Sequence, residues 1–291
     1  MEPRKYPKVG VIGLGNMGGM LTRGFLKQNI FDAEQIFITD HNKSNTEPLA
    51  ADYPGVNIVD DERTAATGAD LLLISIKPPA IPEVILNVKE FLADGAVLWL
   101  TTSHLPDGQL ERLWEGDAIT FLPTLSGHLD RGVVLAHYYR HPTRIADNDY
   151  SKEFFGSCIE PLCKRLIWVP DDGFAVLNNI TGCAPAFVAY LIRAFAEAVA
   201  TETDACDAEL LQSMVLEAFS STCALLEVTK ELPDQLLNRV GSPGGITFTA
   251  LSALTETMPQ SLSTLINRSV ERHAVADQEV AAVIDTLLTE P

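Results

Sequence analysis

The chain is poor in positive charge, in cysteine and in long apolar runs, and each shortage excludes something. It holds 21 lysines and arginines against 39 aspartates and glutamates, a formal charge of −18 over 291 residues. Such a surface repels phosphate backbones and anionic headgroups, so no nucleic acid and no membrane are expected as partners. The five cysteines (Cys158, Cys163, Cys183, Cys206 and Cys223) form no C-x-x-C pair. That argues against a disulfide frame and a zinc knuckle, and suits a reducing, cytoplasmic setting. The six histidines are scattered, with no H-E-x-x-H, and no metal site is expected. No run approaches the roughly 18 apolar residues that span a bilayer; the longest weakly polar stretch, Ile180 to Ile192, is shorter and contains Pro185. The opening MEPRKYPK has charge but no apolar stretch behind it, so no secretory signal is expected.

What is present is an ordinary globular mix, 46% hydrophobic and 21% charged, long enough for two domains. The first half alternates short β-branched runs with amphipathic stretches, the pattern of a parallel sheet flanked by helices. Expected strands are Lys8 to Ile12, Gln35 to Thr39, Val56 to Val59, Leu71 to Ile76, Ala96 to Leu100, Ile119 to Leu122, Val133 to Tyr138 and Arg165 to Val169. Helices are expected between them, among them Met17 to Lys27, Ile81 to Leu92 and Asp107 to Trp114. After Pro170-Asp171-Asp172-Gly173 strand patterns stop. Helices are expected at Pro185 to Ala200, Asp207 to Val228, Pro233 to Val240 and from Thr247, followed by a tail from Pro259 to Leu288. The expected fold is α/β: a Rossmann-type, doubly wound, mostly parallel sheet over residues 1–170, then an all-α domain over 171–291. Several later helices are apolar on more than one stripe and need cover on every side. Docking onto the first domain and an intertwined homodimer both meet that need, the dimer standing ahead.

VGVIGLGNMGG (Val9 to Gly19) places Gly13, Gly15 and Gly18 directly after an expected strand and before an expected helix. In the dinucleotide fingerprint the first glycine permits the tight turn, the second lets backbone approach a pyrophosphate, and the third allows close helix–strand packing. The helix start aims free N–H groups and its positive end at the phosphates. Gly13, Leu14, Gly15, Asn16 and Met17 are therefore candidate cofactor contacts. At the end of the second strand Asp40 can accept from ribose hydroxyls, as in NAD(H) sites, or act as a plain turn residue. His41, Asn42, Lys43 and Ser44 offer polar partners for the 2′-phosphate of NADP(H). Both cofactors stay open, NADP(H) ahead. Ser75, Ile76, Lys77 and Pro78 close the fourth strand on the edge where such sheets bind ligands, although Lys77 reads equally as a solvated strand end. Leu122-Pro123-Thr124-Leu125-Ser126-Gly127 ends a later strand on the same edge and is a candidate lining for the nicotinamide. His104, His128 and His137 are assigned no role.

Two segments of the helical half are unusual for pure structure. Thr181-Gly182-Cys183-Ala184-Pro185-Ala186 is a small-residue turn leading into a helix. Gly241-Ser242-Pro243-Gly244-Gly245-Ile246-Thr247 is a glycine-rich loop that also leads into a helix, presenting N–H groups and a hydroxyl suited to a carboxylate. Taken alone, it also reads as an ordinary helix–loop–helix connection.

With the glycine loop, the Lys77-Pro78 turn, the Pro185-Ala186 helix start and SPGGIT (Ser242 to Thr247), the chain resembles the pyrroline-5-carboxylate reductase family over nearly its whole length. SPGGIT is the most specific of the four. The resemblance implies NAD(P)H-dependent reduction of the cyclic imine 1-pyrroline-5-carboxylate to L-proline, in proline biosynthesis, by a homodimer or larger homo-oligomer. It implies that Ser242, Gly244, Gly245, Ile246 and Thr247 bind the substrate carboxylate, with the Thr247 hydroxyl near the ring nitrogen as the catalytic group. Two segments depart from the family pattern. Pro123-Thr124-Leu125-Ser126 replaces Pro-Asn-Thr-Pro, and Thr181-Gly182-Cys183-Ala184-Pro185-Ala186-Phe187 replaces Ser-Gly-Ser-Gly-Pro-Ala-Tyr. The pattern also resembles a divergent reductase-like branch that includes a protein encoded beside bacterial competence genes. Two alternatives follow: reduction of a different cyclic imine or imino acid, or a non-catalytic dinucleotide-binding regulator.

Overall fold

Short β-branched and apolar runs pair into one eight-stranded sheet. Its strands are β1 (Val9–Ile12), β2 (Ile36–Thr39), β3 (Asn57–Ile58), β4 (Leu71–Ile74), β5 (Val97–Leu100), β6 (Ala118–Pro123), β7 (Val133–Tyr139) and β8 (Arg165–Trp168). The structure, a computed structural model, describes residues 7–124, 132–142 and 150–289. Strand order is β3-β2-β1-β4-β5-β6-β7-β8. Neighbours run parallel except β6 and β7, where Phe121 stands opposite Ala136 in an antiparallel pair. Every expected strand is present, with ends moved by no more than two residues.

Parallel strands need crossovers, and the amphipathic stretches supply them. In chain order the helices of this half are α1 (Asn16–Lys27), α2 (Lys43–Asp52), α3 (Glu62–Ala66), α4 (Ile81–Val88), α5 (Asp107–Leu110), α6 (Tyr150–Ile159) and α7 (Asp171–Asn178). Because side chains alternate across a strand, the sheet feeds two cores. One face carries Val11, Leu73, Trp99 and Phe121 under Phe25 of α1 and Phe155 of α6. Trp99 meets Phe155 edge to face, ring centroids 4.9 Å apart. The other face carries Ile12, Leu72, Ile74 and Leu98 under α3 and α4, joined by Val280 and Ile284 from the end of the last helix. All four residues of β4 are buried, as its unbroken LLLI run requires of a strand covered on both sides.

From Asp171 onward the described chain is helical, with α8 (Ala184–Ala200), α9 (Ala208–Thr229), α10 (Pro233–Val240) and α11 (Ile246–Thr289). Asp207 caps α9, its side chain accepting from the Leu210 N–H at 2.8 Å. The chain forms two compact units, Met1–Gly182 with Val270–Pro291, and Cys183–Ser269. The second unit buries few side chains of its own, chiefly Ala196, Leu211 and Val215. It leaves Tyr190, Phe195, Met214, Leu216, Val228 and Phe248 exposed.

Two expectations need correction. Pro259 does not separate a helix from a tail; it lies inside the continuous α11. Its ring removes an N–H that would have bonded the Thr255 carbonyl. Both residues are exposed, so water can take that carbonyl. The second concerns membrane-length segments. The helical run Asp171–Ala200 is long and apolar enough, by length and composition, to cross a bilayer, and 11% of its apolar window is buried. The counted stretch Ile180 to Ile192 is bounded by Asn179 and Arg193, whereas average hydropathy runs across such breaks.

Candidate functional site

The strand order reverses between β1 and β4, and open α/β sheets bind ligands off the carboxyl ends of strands at such a switch point. The VGVIGLGNMGG segment sits there. Gly13 has φ of 92°, and a Cβ on it would run into the Ser75 carbonyl. A Cβ on Gly18 would overlap the Gly13 carbonyl. Both positions therefore demand glycine by contact. Gly15 differs: it is exposed, and a Cβ there would meet nothing within 4 Å, so space stands open beside its backbone. The Gly13 N–H donates to the Thr39 carbonyl at 3.0 Å, and the Ser75 N–H to the Ile12 carbonyl at 2.8 Å. The turn is thus tied to both neighbouring strands. No side chain caps α1 and no acidic residue lies in its first turn, which leaves its N–H groups and positive end available to an anion.

Asp40 does not face outward. Its side chain is 3% exposed. One carboxylate oxygen accepts from the Leu14 N–H at 2.6 Å, the other from the Asn42 N–H at 2.7 Å and the Asn45 amide at 3.2 Å. Burial pushes its pKa up, but these donors and His41 outweigh it and hold the carboxyl below the usual carboxylate range. Asp40 therefore braces the glycine loop, and the Leu14 N–H is already taken by it. Beside it, His41, Asn42, Lys43 and Ser44 are all exposed, His41 with 96% of its side chain. They surround the start of α2, where the Asn42 side chain accepts from the Ser44 N–H at 3.2 Å. An exposed helix amino end with Lys43 and His41 beside it suits a phosphate better than a ribose diol.

Ser75 joins the loop to β5 through a 3.0 Å hydrogen bond from the Thr101 hydroxyl. Ile76 lies against Gly13, Lys77 is exposed, and Pro78 opens a short 3₁₀ turn. Met17 packs beside Leu122, Leu135 and Phe174. Thr124 spends its hydroxyl on the Val133 carbonyl at 2.8 Å. Leu125, Ser126, Gly127 and His128 lie outside the described residues.

Thr181 to Cys183 do not form a simple turn; Asn179–Cys183 is one turn of π-helix, a local widening that often marks functional sites. Thr181 is fully buried, and its hydroxyl has no hydrogen-bond partner. In the second unit, Gly244 takes φ of 78° and the Gly245 N–H donates to the Ser242 carbonyl at 2.9 Å. This turn delivers the chain directly into α11 at Ile246. Ser242, Gly244, Ile246 and Thr247 are exposed, Ile246 at 91%, so the turn presents a bare helix amino end with the Thr247 hydroxyl in its first turn.

Two histidines left without a role are engaged. His137 Nε2 lies 2.8 Å from Asp107 and its Nδ1 3.1 Å from the Val169 carbonyl. Both ring nitrogens thus face acceptors, and Asp171 is close enough to add its field. Burial alone would lower the His137 pKa; Asp107, Val169 and Asp171 outweigh it and raise the pKa above the ordinary value. His104 lies 2.9 Å from Asp277, which also bonds His273. Among the described residues these are two groups in which histidine and carboxylate atoms come within 4.8 Å of one another. The separations in sequence, 30 and 173 residues, explain why no motif revealed them.

Residues 171–277 match the family model described as pyrroline-5-carboxylate reductase dimerisation. Residues 8–98 match that of the coenzyme F420-dependent NADP oxidoreductases. A pyrroline-5-carboxylate reductase of Synechocystis is 24% identical over 85% of this chain and 89% of its own length. The ComE operon protein 4 of Bacillus subtilis is 24% identical over 85% and 88%. Among solved structures, the Plasmodium falciparum pyrroline carboxylate reductase with NADP bound superposes with a TM-score of 0.75 at 22% identity, covering 94% of this chain and 97% of that one. The Coxiella burnetii pyrroline-5-carboxylate reductase gives 0.76 at 19% identity, covering 95% and 99%. These structures share the fold.

Proposed function

We infer that this chain, a member of the pyrroline-5-carboxylate reductase family, is an NAD(P)H-dependent oxidoreductase that reduces 1-pyrroline-5-carboxylate to L-proline. NADPH is its preferred hydride donor. The observation that carries the reading is the pairing, in one chain, of an open glycine loop at the sheet's switch point with the SPGGIT turn opening α11 inside the matched dimerisation segment.

The nicotinamide supplies the hydride when bound. The chain's own residues do the rest. Backbone N–H groups from Gly15 to Met17 receive the pyrophosphate, with Gly13 and Gly18 keeping the turn close. His41, Asn42, Lys43 and Ser44 receive the 2′-phosphate, a role supported by the withdrawal of the Asp40 carboxylate into the loop. Ser75 to Pro78 border the cofactor. The backbone of Gly244 to Thr247, with Ser242, holds the substrate carboxylate, and the Thr247 hydroxyl hydrogen-bonds the ring nitrogen. A protonated imine is already electrophilic, so the reaction needs placement more than acid–base help. Holding the reacting carbons in a near-attack geometry supplies roughly 7–11 kcal/mol in favourable cases. This reading therefore assigns no histidine base to the reaction.

Residues 1–170 form the dinucleotide domain and 171–291 the helical dimerisation and substrate domain in this proposal. A second copy of the chain covers the exposed apolar helices, including the run Asp171–Ala200, so the working form is a cytoplasmic homodimer or larger homo-oligomer. The departures at Thr124 to Ser126 and at Thr181 to Ala184 support one alternative, a different cyclic imine. Nicotinamide absorbance assays with five- and six-membered ring substrates, each with NADPH and NADH, test the assignment. Fastest turnover is expected with pyrroline-5-carboxylate and NADPH. Preference for the six-membered ring moves the substrate, and cofactor binding without turnover on any imine removes the activity.

A further inference from the structure

One side-chain cluster is used neither by dinucleotide binding nor by hydride transfer. His104 lies in the loop after β5, while His273 and Asp277 stand one helical turn apart on α11. Asp277 Oδ1 is 2.9 Å from His104 Nδ1, and its Oδ2 is 3.1 Å from His273 Nδ1. The two imidazole rings lie 4.2 Å apart, centroid to centroid. All three residues belong to the same compact unit. His273 is buried; His104 and Asp277 are reached by solvent.

We propose that His104, His273 and Asp277 bind a divalent transition-metal ion of the zinc class, which staples the end of α11 to the loop following β5. Two imidazoles and one carboxylate form a donor set that suits Zn²⁺, Co²⁺ or Ni²⁺, whereas Mg²⁺ and Ca²⁺ seek oxygen alone. Ligand atoms about 2.0–2.1 Å from a tetrahedral ion stand roughly 3.3 Å from one another. The observed 2.9 and 3.1 Å separations run to the two different oxygens of Asp277, and one ligand atom from each residue lies within 4.8 Å of the others, so an ion entering in place of the shared protons draws the two rings in around the carboxylate. Three protein ligands leave one position for water, which reaches the cluster past Asp277. The acidic chain, at −18, also favours a cation. Without an ion the same groups form a hydrogen-bonded clamp, Asp277 accepting from both Nδ1–H groups. Ion uptake separates the two states.

The test uses the full chain without a histidine tag, stripped by chelator and titrated near neutral pH with Zn²⁺ by calorimetry and with Co²⁺ by visible absorption. One ion per chain is expected, with cobalt bands of low-coordinate geometry and a melting temperature several degrees higher that a chelator reverses. His104→Gln and His273→Gln should each weaken uptake by roughly 100-fold or more, beyond the range of outer-shell changes. His137→Gln, in the other histidine–carboxylate cluster, should leave it unchanged. Because a variant can fail to fold, the unmutated protein is also followed by imidazole nitrogen resonances, where His104 and His273 should shift on adding zinc. No stoichiometric uptake, uptake that persists without both histidines, or unmoved His104 and His273 resonances would overturn the proposal.

Discussion

Replacing Asp40 by alanine separates two roles that the same residue type can play. In the structure its carboxylate accepts at 2.6 Å from Leu14 and 2.7 Å from Asn42, within a side chain 3% exposed. Removing it strands the main-chain N–H groups of Leu14, in the glycine loop, and of Asn42, at the start of α2. An unsatisfied buried donor costs about 1–3 kcal/mol, and Asn42 sits where water can partly replace the lost acceptor. The total destabilisation is therefore about 2–4 kcal/mol, a fall in melting temperature on the order of 3–7 °C for a chain of this size. Asp40→Asn keeps one acceptor and should lose about half as much. Because the loop loosens as a whole, affinity for NADH and NADPH should fall together. Thermal unfolding and fluorescence titration of both cofactors measure the two effects. A variant that keeps its melting temperature but loses NADH binding alone would show that Asp40 serves the ribose, and the bracing role would be wrong.

The remaining expectations concern other parts of the account. His137 has a raised pKa, so its contribution is fully present below the unfolded value near 6.5 and is lost as pH rises through the higher folded value. Urea unfolding across that window should show stability falling with pH, and His137→Gln should flatten the slope; an unchanged slope contradicts the assignment. Lys43→Glu should raise KM for NADPH roughly tenfold, about one charged hydrogen bond's worth, while barely moving NADH; equal effects would remove the 2′-phosphate from that loop. Phe195→Glu, at an exposed apolar position on α8, should drive sedimenting dimers toward monomer at micromolar concentration, and an unshifted dimer would place the interface elsewhere. Thr247→Val should reduce kcat/KM by about 1.5–3 kcal/mol of transition-state binding, and unchanged efficiency would exclude its hydroxyl.

The sheet was legible because each strand carries its own local signal: a run such as LLLI can be buried on both faces only in a covered parallel strand. The glycine loop was legible for a similar reason, since the contacts that demand glycine at Gly13 and Gly18 involve atoms brought close by the turn itself. Asp40 was legible as a candidate but not in its direction, which depends on Leu14 reaching back from the first crossover. Pro259 misled because a local helix-breaking preference was overridden by the length of α11 around it. The His104–Asp277–His273 cluster could not be read at all: its members meet only when the end of α11 returns to the first unit, 173 residues downstream of His104.

Isotope transfer reaches the central claim most directly. Incubating the protein with NADPH deuterated at the transferable C4 position and with 1-pyrroline-5-carboxylate should yield proline carrying one deuterium at C5, read by mass spectrometry. Thr247→Val should slow its formation without altering where the label goes. No labelled proline from protein that binds NADPH tightly would contradict the assignment of hydride transfer to this chain.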